Sequence, residues 1–175
     1  MNYKNHAISS VGVGVALQSI ALMPVTASFQ IPYLAGVLIG SQLPDLDHPS
    51  SHIGYKTYGF LFSKKTRNKI ARKTHRKFTH YIETWLVLGG LGCLFLVPWM
   101  GWAFSIGLFV GYGGHLLGDS MTPWGIPSLL LGTKHWRVPF KFLHFKSDSA
   151  KQPLVAYAML GVGALIYYLR LKFGQ

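Results

Sequence analysis

The sequence predicts an all-α fold: a polytopic membrane helical bundle of about five transmembrane helices with two basic cytoplasmic loops. Three observations support this prediction. Half of the residues are hydrophobic, only 13% are charged, and the mean hydropathy is +0.29, values that are unusual for a soluble domain. The apolar residues form five runs, and the basic residues lie between these runs. A length of 175 residues corresponds to a single domain, 1–175.

Each apolar run is near the lower end of the roughly 17–25 residues that a helix needs to cross a bilayer. Glu83 is the only charged residue within them. A soluble bundle of buried helices is the alternative, but 175 residues could hardly supply polar cover for five such helices. The first run could also be a signal peptide cleaved near 25–27, which would remove His6. The runs span residues 7–23, 28–43, 81–97, 102–118 and 154–169.

The distribution of charge predicts the orientation. Nine Lys or Arg residues lie between Pro49 and His80 and five between Asp119 and Pro153, whereas the connections at 24–27 and 98–101 have none. The positive-inside rule places both basic loops and the N-terminus in the cytoplasm. The rule has one exception, because five spans would place Arg170 and Lys172 on the side of the membrane opposite the cytoplasm. Membrane topology explains the net charge of +12, so we expect no nucleic acid as a partner.

This topology places most of the acids and histidines at the cytoplasmic ends of the helices. A carboxylate in apolar surroundings is costly unless a cation compensates it. Asp45 and Asp47 repel each other unless one is protonated or a cation lies between them. His115 and Asp119 are four residues apart and share one helical face.

Oxygen and imidazole donors without cysteine suit zinc, which we favour, or manganese, iron or magnesium. The number of donors suits two or more divalent ions. Taken singly, these residues have simpler interpretations. Residues 45–48 also fit a turn with capping aspartates, His115 and Asp119 a His–Asp hydrogen bond, and residues 75–80 interfacial histidines. Thr79 could cap the third helix. We expect His48 or Glu83 to act as a base or to support a ligand, and Arg76 to bind an anionic group of the substrate. The predicted metal ligands are His6, Asp45, Asp47, His75, His80, His115 and Asp119.

Two helices carry faces of small residues. Gly36 and Gly40 are four apart in the second run, and Gly107 and Gly111 precede His115 in one row of the fourth run. Such faces allow helix backbones to approach closely in lipid. Cys93, the single cysteine, excludes an intramolecular disulfide and a cysteine-based zinc site.

The motifs PDLDHP (44–49), HRKFTH (75–80), GYGGHLLGD (111–119) and TPWG (122–125) resemble the YdjM family, and His6 matches an N-terminal histidine of that family. The resemblance covers residues 1 to about 130. It implies a multi-pass protein of the bacterial cytoplasmic (inner) membrane and a metal-dependent hydrolase. Lys77 stands where the family often has glycine. A more distant likeness is to zinc-dependent phospholipase C, and the family is also described as binding a DNA-damage repressor.

We therefore expect a membrane-bound hydrolase with its metal site near the cytoplasmic face. Its substrate would be a (phospho)ester of a lipid or lipid-linked molecule. The alternative is a non-enzymatic membrane protein that recruits a cytoplasmic protein partner through its basic 49–80 loop. A metal carrier is less favoured, because it needs polar residues at mid-membrane and these helices offer almost none.

Overall fold

The protein is mostly helical. The structure, a computed structural model, describes residues 1–74, 78–146 and 149–173. A π-helix, Trp85–Gly89, joins α5 to α6, and short 3₁₀ turns include Leu43–Asp47 and Phe78–His80. The α-helices are α1 (Tyr3–Ile20), α2 (Ala27–Gly40), α3 (His52–Thr57), α4 (Lys64–Thr74), α5 (Ile82–Thr84), α6 (Gly90–Ser120) and α7 (Lys151–Phe173).

Within the described ranges, two helical segments are long and apolar enough to cross a membrane, Ile82–Ser120 and Lys151–Phe173. The prediction of five spans is therefore not confirmed. Helix α2 has only 14 residues, fewer than the roughly 17 that a span needs. Helix α1 begins four residues before its predicted run and includes Lys4, Asn5 and His6, which makes its first turn polar.

The segment Ile82–Ser120 is a hairpin rather than one straight rod. Gly101 has φ 77° and ψ 162°, a conformation that glycine adopts without steric cost. The indole nitrogen of Trp85 donates a hydrogen bond to the carbonyl oxygen of Phe109 at 2.9 Å, and the two rings stack. In a straight helix these residues, 24 apart, would be separated by about 36 Å. The third and fourth apolar runs are therefore the two arms of a hairpin that turns at Gly101.

Helices α2 and α6 pack with their backbones in contact. A Cβ atom on Gly107 would overlap the carbonyl oxygen of Tyr33, and one on Gly111 would overlap that of Val37. Tyr33 and Val37 are fully buried and form an apolar core cluster with Val110. The small-residue faces predicted for these helices are the surfaces that meet, which brings the end of α2 next to the end of α6.

Helix α7 packs along α1 and is hydrogen-bonded to it near both ends. The side-chain amide of Asn5 donates to Gln152 at 2.6 Å, and Arg170 donates to the carbonyl oxygen of Gln18 at 2.8 Å. The last carbonyls of a helix lack intrahelical partners and attract cations. Arg170, which runs against the charge rule, therefore has a structural role at the end of α1.

The chain also contains a short antiparallel β-hairpin that the all-α prediction did not include. Strands β1 (Ile126–Ser128) and β2 (Thr133–Trp136) follow α6 and pair Ile126 with Trp136. Ile126 is buried against Tyr112 and Leu116 of α6. The β-hairpin is thereby fixed to the end of α6 that carries the candidate site.

The close contact between α2 and α6 predicts that Gly107→Ala destabilises the fold. The added methyl group would force the two backbones apart, at a cost of about 1–3 kcal/mol. The matched control is Gly92→Ala in the same helix, where a Cβ meets nothing within 4 Å. It should be neutral or slightly stabilising, because alanine favours helix more than glycine does. Thermal unfolding in detergent measures both, and equal effects would contradict the packing described here.

Candidate metal centre

Five of the predicted ligands lie in one cluster. His6, His115 and Asp119 form one group, and Asp45, His80 and His115 form a second. Within each group the candidate ligand atoms all lie within 4.8 Å of one another. The two groups share His115, so the five side chains form one continuous site.

Four separate parts of the chain supply these residues. His6 is in the first turns of α1, and Asp45 lies in the 3₁₀ turn that follows α2. His80 ends a second 3₁₀ turn just before the helical hairpin Ile82–Ser120, while His115 and Asp119 lie in the last turns of α6. Because the hairpin reverses at Gly101, the residues before its first arm and at the end of its second arm lie at the same level.

Asp119 is at the centre of the cluster and is only 2% exposed. Its Oδ1 lies 3.3 Å from Nε2 of His6 and 3.0 Å from the α-amino group of Met1. Its Oδ2 lies 3.6 Å from Nε2 of His80 and 3.9 Å from Nε2 of His115. The two carboxylate oxygens therefore face different groups, as a carboxylate shared by two ions would.

Asp45 forms the accessible edge of the cluster. Its side chain is 18% exposed, whereas His80 is fully buried and His115 is 1% exposed. Its Oδ1 lies 3.8 Å from Nε2 of His80 and 3.9 Å from Nε2 of His115. Among the five residues, Asp45 is thus the one through which the site meets solvent.

The orientation of His115 is set by α2. Its Nδ1 lies 2.7 Å from the carbonyl oxygen of Ser41. A carbonyl oxygen only accepts hydrogen bonds, so we assign the ring proton to Nδ1, which leaves the Nε2 lone pair facing the two aspartates. The ring of His6 stacks on that of His115 with a centroid distance of 3.7 Å. The imidazole is therefore held in the tautomer that a metal requires.

The orientation of His80 is set by a threonine. Oγ1 of Thr79 lies 3.1 Å from Nδ1 of His80 and 2.8 Å from both Oδ2 of Asp47 and the carbonyl oxygen of Pro44. The hydroxyl can donate its one proton to either oxygen while accepting from Nδ1–H of His80. Nε2 of His80 is then unprotonated and faces Asp45 and Asp119. Thr79 supports this ring rather than capping a helix.

Asp47, also predicted as a ligand, is not among the five clustered residues. It belongs to neither group of candidate ligands, and its carboxylate instead accepts the hydrogen bond from Thr79. The reason is the 3₁₀ geometry of Leu43–Asp47, in which residues two apart point in different directions. Asp45 therefore faces the cluster, and Asp47 supports it from behind Thr79.

Burial affects the protonation of two groups that lie outside the apolar runs. The pKa of His6 is lowered to about 4, chiefly by burial and also by neighbouring His115, while Asp119 opposes the shift. Burial raises the pKa of Asp47, against the hydrogen bond from Thr79. His6 is therefore neutral at pH 7, the form in which imidazole binds metals.

Two further predicted residues that the structure describes, Glu83 and His48, do not join the cluster. Glu83 accepts hydrogen bonds from the hydroxyl of Ser128 and the amide of Leu130, so it is engaged by the β-hairpin, and the predicted base role gains no support from its position. His48 caps the turn after α2 and belongs to neither group. The remaining predicted residues, His75 and Arg76, fall outside the described residues, as does Lys77.

Sequence reasoning missed two residues that orient the site. Ser41 acts through its backbone carbonyl, which leaves no signal in the sequence. Thr79 was visible as the neighbour of His80 within its motif, but its contact with Asp47 joins residues 32 apart. The contact of the Met1 amino group with Asp119 was also not predicted.

A helical protein with apolar candidate spans and a buried His/Asp cluster belongs to the class of membrane proteins with a candidate metal centre. The comparisons with known proteins identify the family. Residues 1–173 match the model of the YdjM inner membrane protein family, and the chain belongs to that family. The protein is therefore a member of an inner-membrane family, as the sequence motifs predicted.

Two similar relatives illustrate the match. The chain is 31% identical over 143 residues to inner membrane protein YdjM of Escherichia coli (strain K12), with 78% of this chain and 68% of the relative covered. It is 30% identical over 137 residues to the uncharacterized protein YvsG of Bacillus subtilis (strain 168), with 78% of each covered. No solved structure matches significantly. A likeness to phospholipase C is not shown by these comparisons.

The contacts of Thr79 predict that Thr79→Val weakens metal binding. Valine keeps the shape but cannot hold His80 in its orientation, and loss of such a supporting contact typically costs 10–100-fold in metal affinity, so a decrease of about that size is expected. Thr79→Ser keeps the hydroxyl and should bind nearly as the parent does. Competition with a chromogenic chelator measures both, and equal affinities for the valine and serine variants would contradict the assigned role.

Proposed function

We propose that this protein is a membrane-bound, metal-dependent hydrolase that cleaves a (phospho)ester of a lipid or lipid-linked substrate at the cytoplasmic face of the membrane. The supporting observation is the convergence of five donor side chains from four chain segments. Burying several carboxylates and imidazoles together is costly, and such clusters are typical of sites that bind a cation or carry out chemistry.

The donor set fits divalent metal ions. Three imidazoles and two carboxylates suit zinc best, and manganese, iron or magnesium also accept such ligands. Nδ1 of His6 is buried and has no hydrogen-bond partner within the described parts of the chain. His115 offers one unprotonated nitrogen and would therefore hold one ion, while the two carboxylate oxygens of Asp119 face different side chains and would allow a second ion to share the five donors. Bound there, the ions would supply Lewis acidity towards a phosphoryl or carbonyl oxygen and lower the pKa of water.

The residues of the chain have distinct tasks in this proposal. His6, His80 and His115 bind through neutral imidazole nitrogens, and two of them are oriented by Thr79 and Ser41. Asp45, at the accessible edge, would contact both the ion and an entering substrate. The carboxylate of Asp47 holds the hydroxyl of Thr79 and so keeps His80 from rotating.

The position of the cluster favours a lipid substrate. His80 lies two residues before the candidate span Ile82–Ser120, and Asp119 lies at the end of the same segment. A site at the ends of two antiparallel apolar arms lies at the boundary between lipid and water, where headgroup ester bonds are found. The excess of basic residues in the adjoining loops favours the cytoplasmic side.

The double variant Asp45→Ala, His115→Ala should lose bound metal, because both groups lose a ligand and His115 serves both. His135→Ala is the matched control, since His135 is exposed and its Nδ1 contacts the carbonyl oxygen of Trp124. Elemental analysis of the purified proteins measures the metal content. Parental metal content in the double variant would overturn the proposed centre.

The same proteins test hydrolysis. The parent and His135→Ala should release product from phospholipid in mixed micelles, a chelator should abolish release, and added zinc should restore it. The double variant should be inactive with zinc present. Metal-loaded parent protein that cleaves no phosphoester or carboxylic ester lipid would count against the enzyme while leaving the metal centre intact.

A second candidate is a membrane protein that recruits a cytoplasmic partner. Helix α4 supports it, because this helix is strongly basic and contains no acidic residue. Its Lys64, Lys65 and Lys69 are exposed, as a docking surface for an acidic partner would require.

The two candidates predict opposite results in a strain that lacks the gene. Recruitment expects that exchanging Lys64, Lys65 and Lys69 for Glu abolishes complementation while Asp45→Ala, His115→Ala does not. The hydrolase proposal expects the opposite: Asp45→Ala, His115→Ala abolishes complementation, and the exchange of the three lysines does not. The membrane lipid composition and growth of the complemented strains measure the outcome.

A further inference from the structure

We propose that Leu129, Leu130 and Leu131, here called the leucine tip, insert into the membrane leaflet at which the segment Ile82–Ser120 begins, and that Glu83 fixes them there. The proposal goes beyond the hydrolase and does not depend on metal binding. The partner that we assign to this exposed tip is the acyl and glycerol region of an anionic bilayer.

The leucine tip is the connection between β1 and β2. The exposed fractions of its three side chains are 71%, 81% and 57%. Single exposed leucines are common on proteins, but three in succession form an apolar patch that marks an interaction site. Exposed leucines are typical of segments that lie in the membrane interface.

Glu83 holds the backbone of the leucine tip. Its Oε1 accepts hydrogen bonds from the hydroxyl of Ser128 at 2.7 Å and from the amide of Leu130 at 3.0 Å. The hydroxyl of Ser128 in turn accepts from the amide of Leu131 at 3.2 Å, and Gly132, with φ +60°, closes the turn. The Glu83 carboxylate and the Ser128 hydroxyl thus bind two backbone amides of the tip, whose side chains remain exposed.

The position of Glu83 identifies what covers the tip. Glu83 is the second residue of the candidate span Ile82–Ser120. One helical turn later the exposed apolar surface of that span begins with Leu86, Val87 and Leu88, which are 47–55% exposed. The leucine tip therefore adjoins the surface that lipid covers, at the level where the span enters the membrane.

The charge of the segment that contains the tip fits the same partner. Residues 121–146 include no Asp or Glu, and Arg137 and Lys141, which follow the β-hairpin, are exposed. Segments that combine exposed basic and apolar residues are typical of surfaces that bind anionic lipids, with the apolar side chains about 5–10 Å below the headgroup boundary. Glu83 is bound to this segment through its Oε1, which accepts one hydrogen bond from Ser128 and one from the amide of Leu130 in the tip.

Site-directed fluorescence tests the insertion in the full-length protein. In a Cys93→Ser background, Leu130→Cys carries an environment-sensitive dye, and Thr66→Cys on the exposed face of α4 is the matched control. Both proteins are reconstituted into vesicles of phosphatidylethanolamine and phosphatidylglycerol. The dye at residue 130 should emit at shorter wavelength, be quenched several-fold more by nitroxide on the acyl chains than the dye at residue 66, and be protected from iodide.

The contribution of Glu83 is tested on the same label. Glu83→Ala should shift the dye at residue 130 towards iodide accessibility, whereas Glu83→Gln, which keeps an acceptor oxygen, should retain the lipid signal. Circular dichroism and unfolding temperature show whether each variant is folded. Iodide access without nitroxide quenching in the Glu83-containing protein would overturn the insertion. Self-quenching that rises with the protein-to-lipid ratio would instead assign the tip to a second copy of the chain and also overturn it.

Discussion

The buried carboxylate of Asp119 is the constraint on which the rest of the structure depends. An ion taken out of water loses several kcal/mol of solvation unless polar partners replace the water. Asp119 has imidazole nitrogens of three histidines within 4 Å, and each comes from a different part of the chain. The packing of α1, α2 and the hairpin arms has to satisfy this one group. Glycines at the α2–α6 contact meet that requirement, because they let the backbones approach until Ser41 reaches His115.

Much of the site could be predicted from the sequence, because its physical signals are local. His115 and Asp119 share a face by their spacing alone, and acids are so rare in this chain that Asp45 stood out. The alternation of basic and uncharged connections placed His6, Asp45 and His80 at one level without any contact being known. The glycine faces were visible for the same reason, since a four-residue spacing directly describes one side of a helix.

The remainder depended on tertiary contacts or on local geometry that the pattern does not encode. Asp45 and Asp47 look equivalent in sequence. The tight turn after α2 makes the difference, because it points Asp45 into the cluster and Asp47 away from it. Glu83 was read as a base because His80 is near in sequence, whereas its partners lie 45 and 47 residues away. The short strands were missed because three or four residues are too few for a periodic pattern. The first two apolar runs predicted spans from composition, although α2 is too short.

The conformation of a single residue, Gly101, decides whether the polar cluster can exist at all. If this residue were helical, Ile82–Ser120 would be a continuous rod of 39 residues, close to 60 Å long at about 1.5 Å per residue. His80 and Asp119 would then stand at opposite extremities, farther apart than a bilayer is thick. An L-amino acid at position 101 would have to adopt a backbone torsion that its side chain disfavours. A bend at Gly101, 18 residues before Asp119 in the sequence, is thus what lets the histidines and aspartates meet.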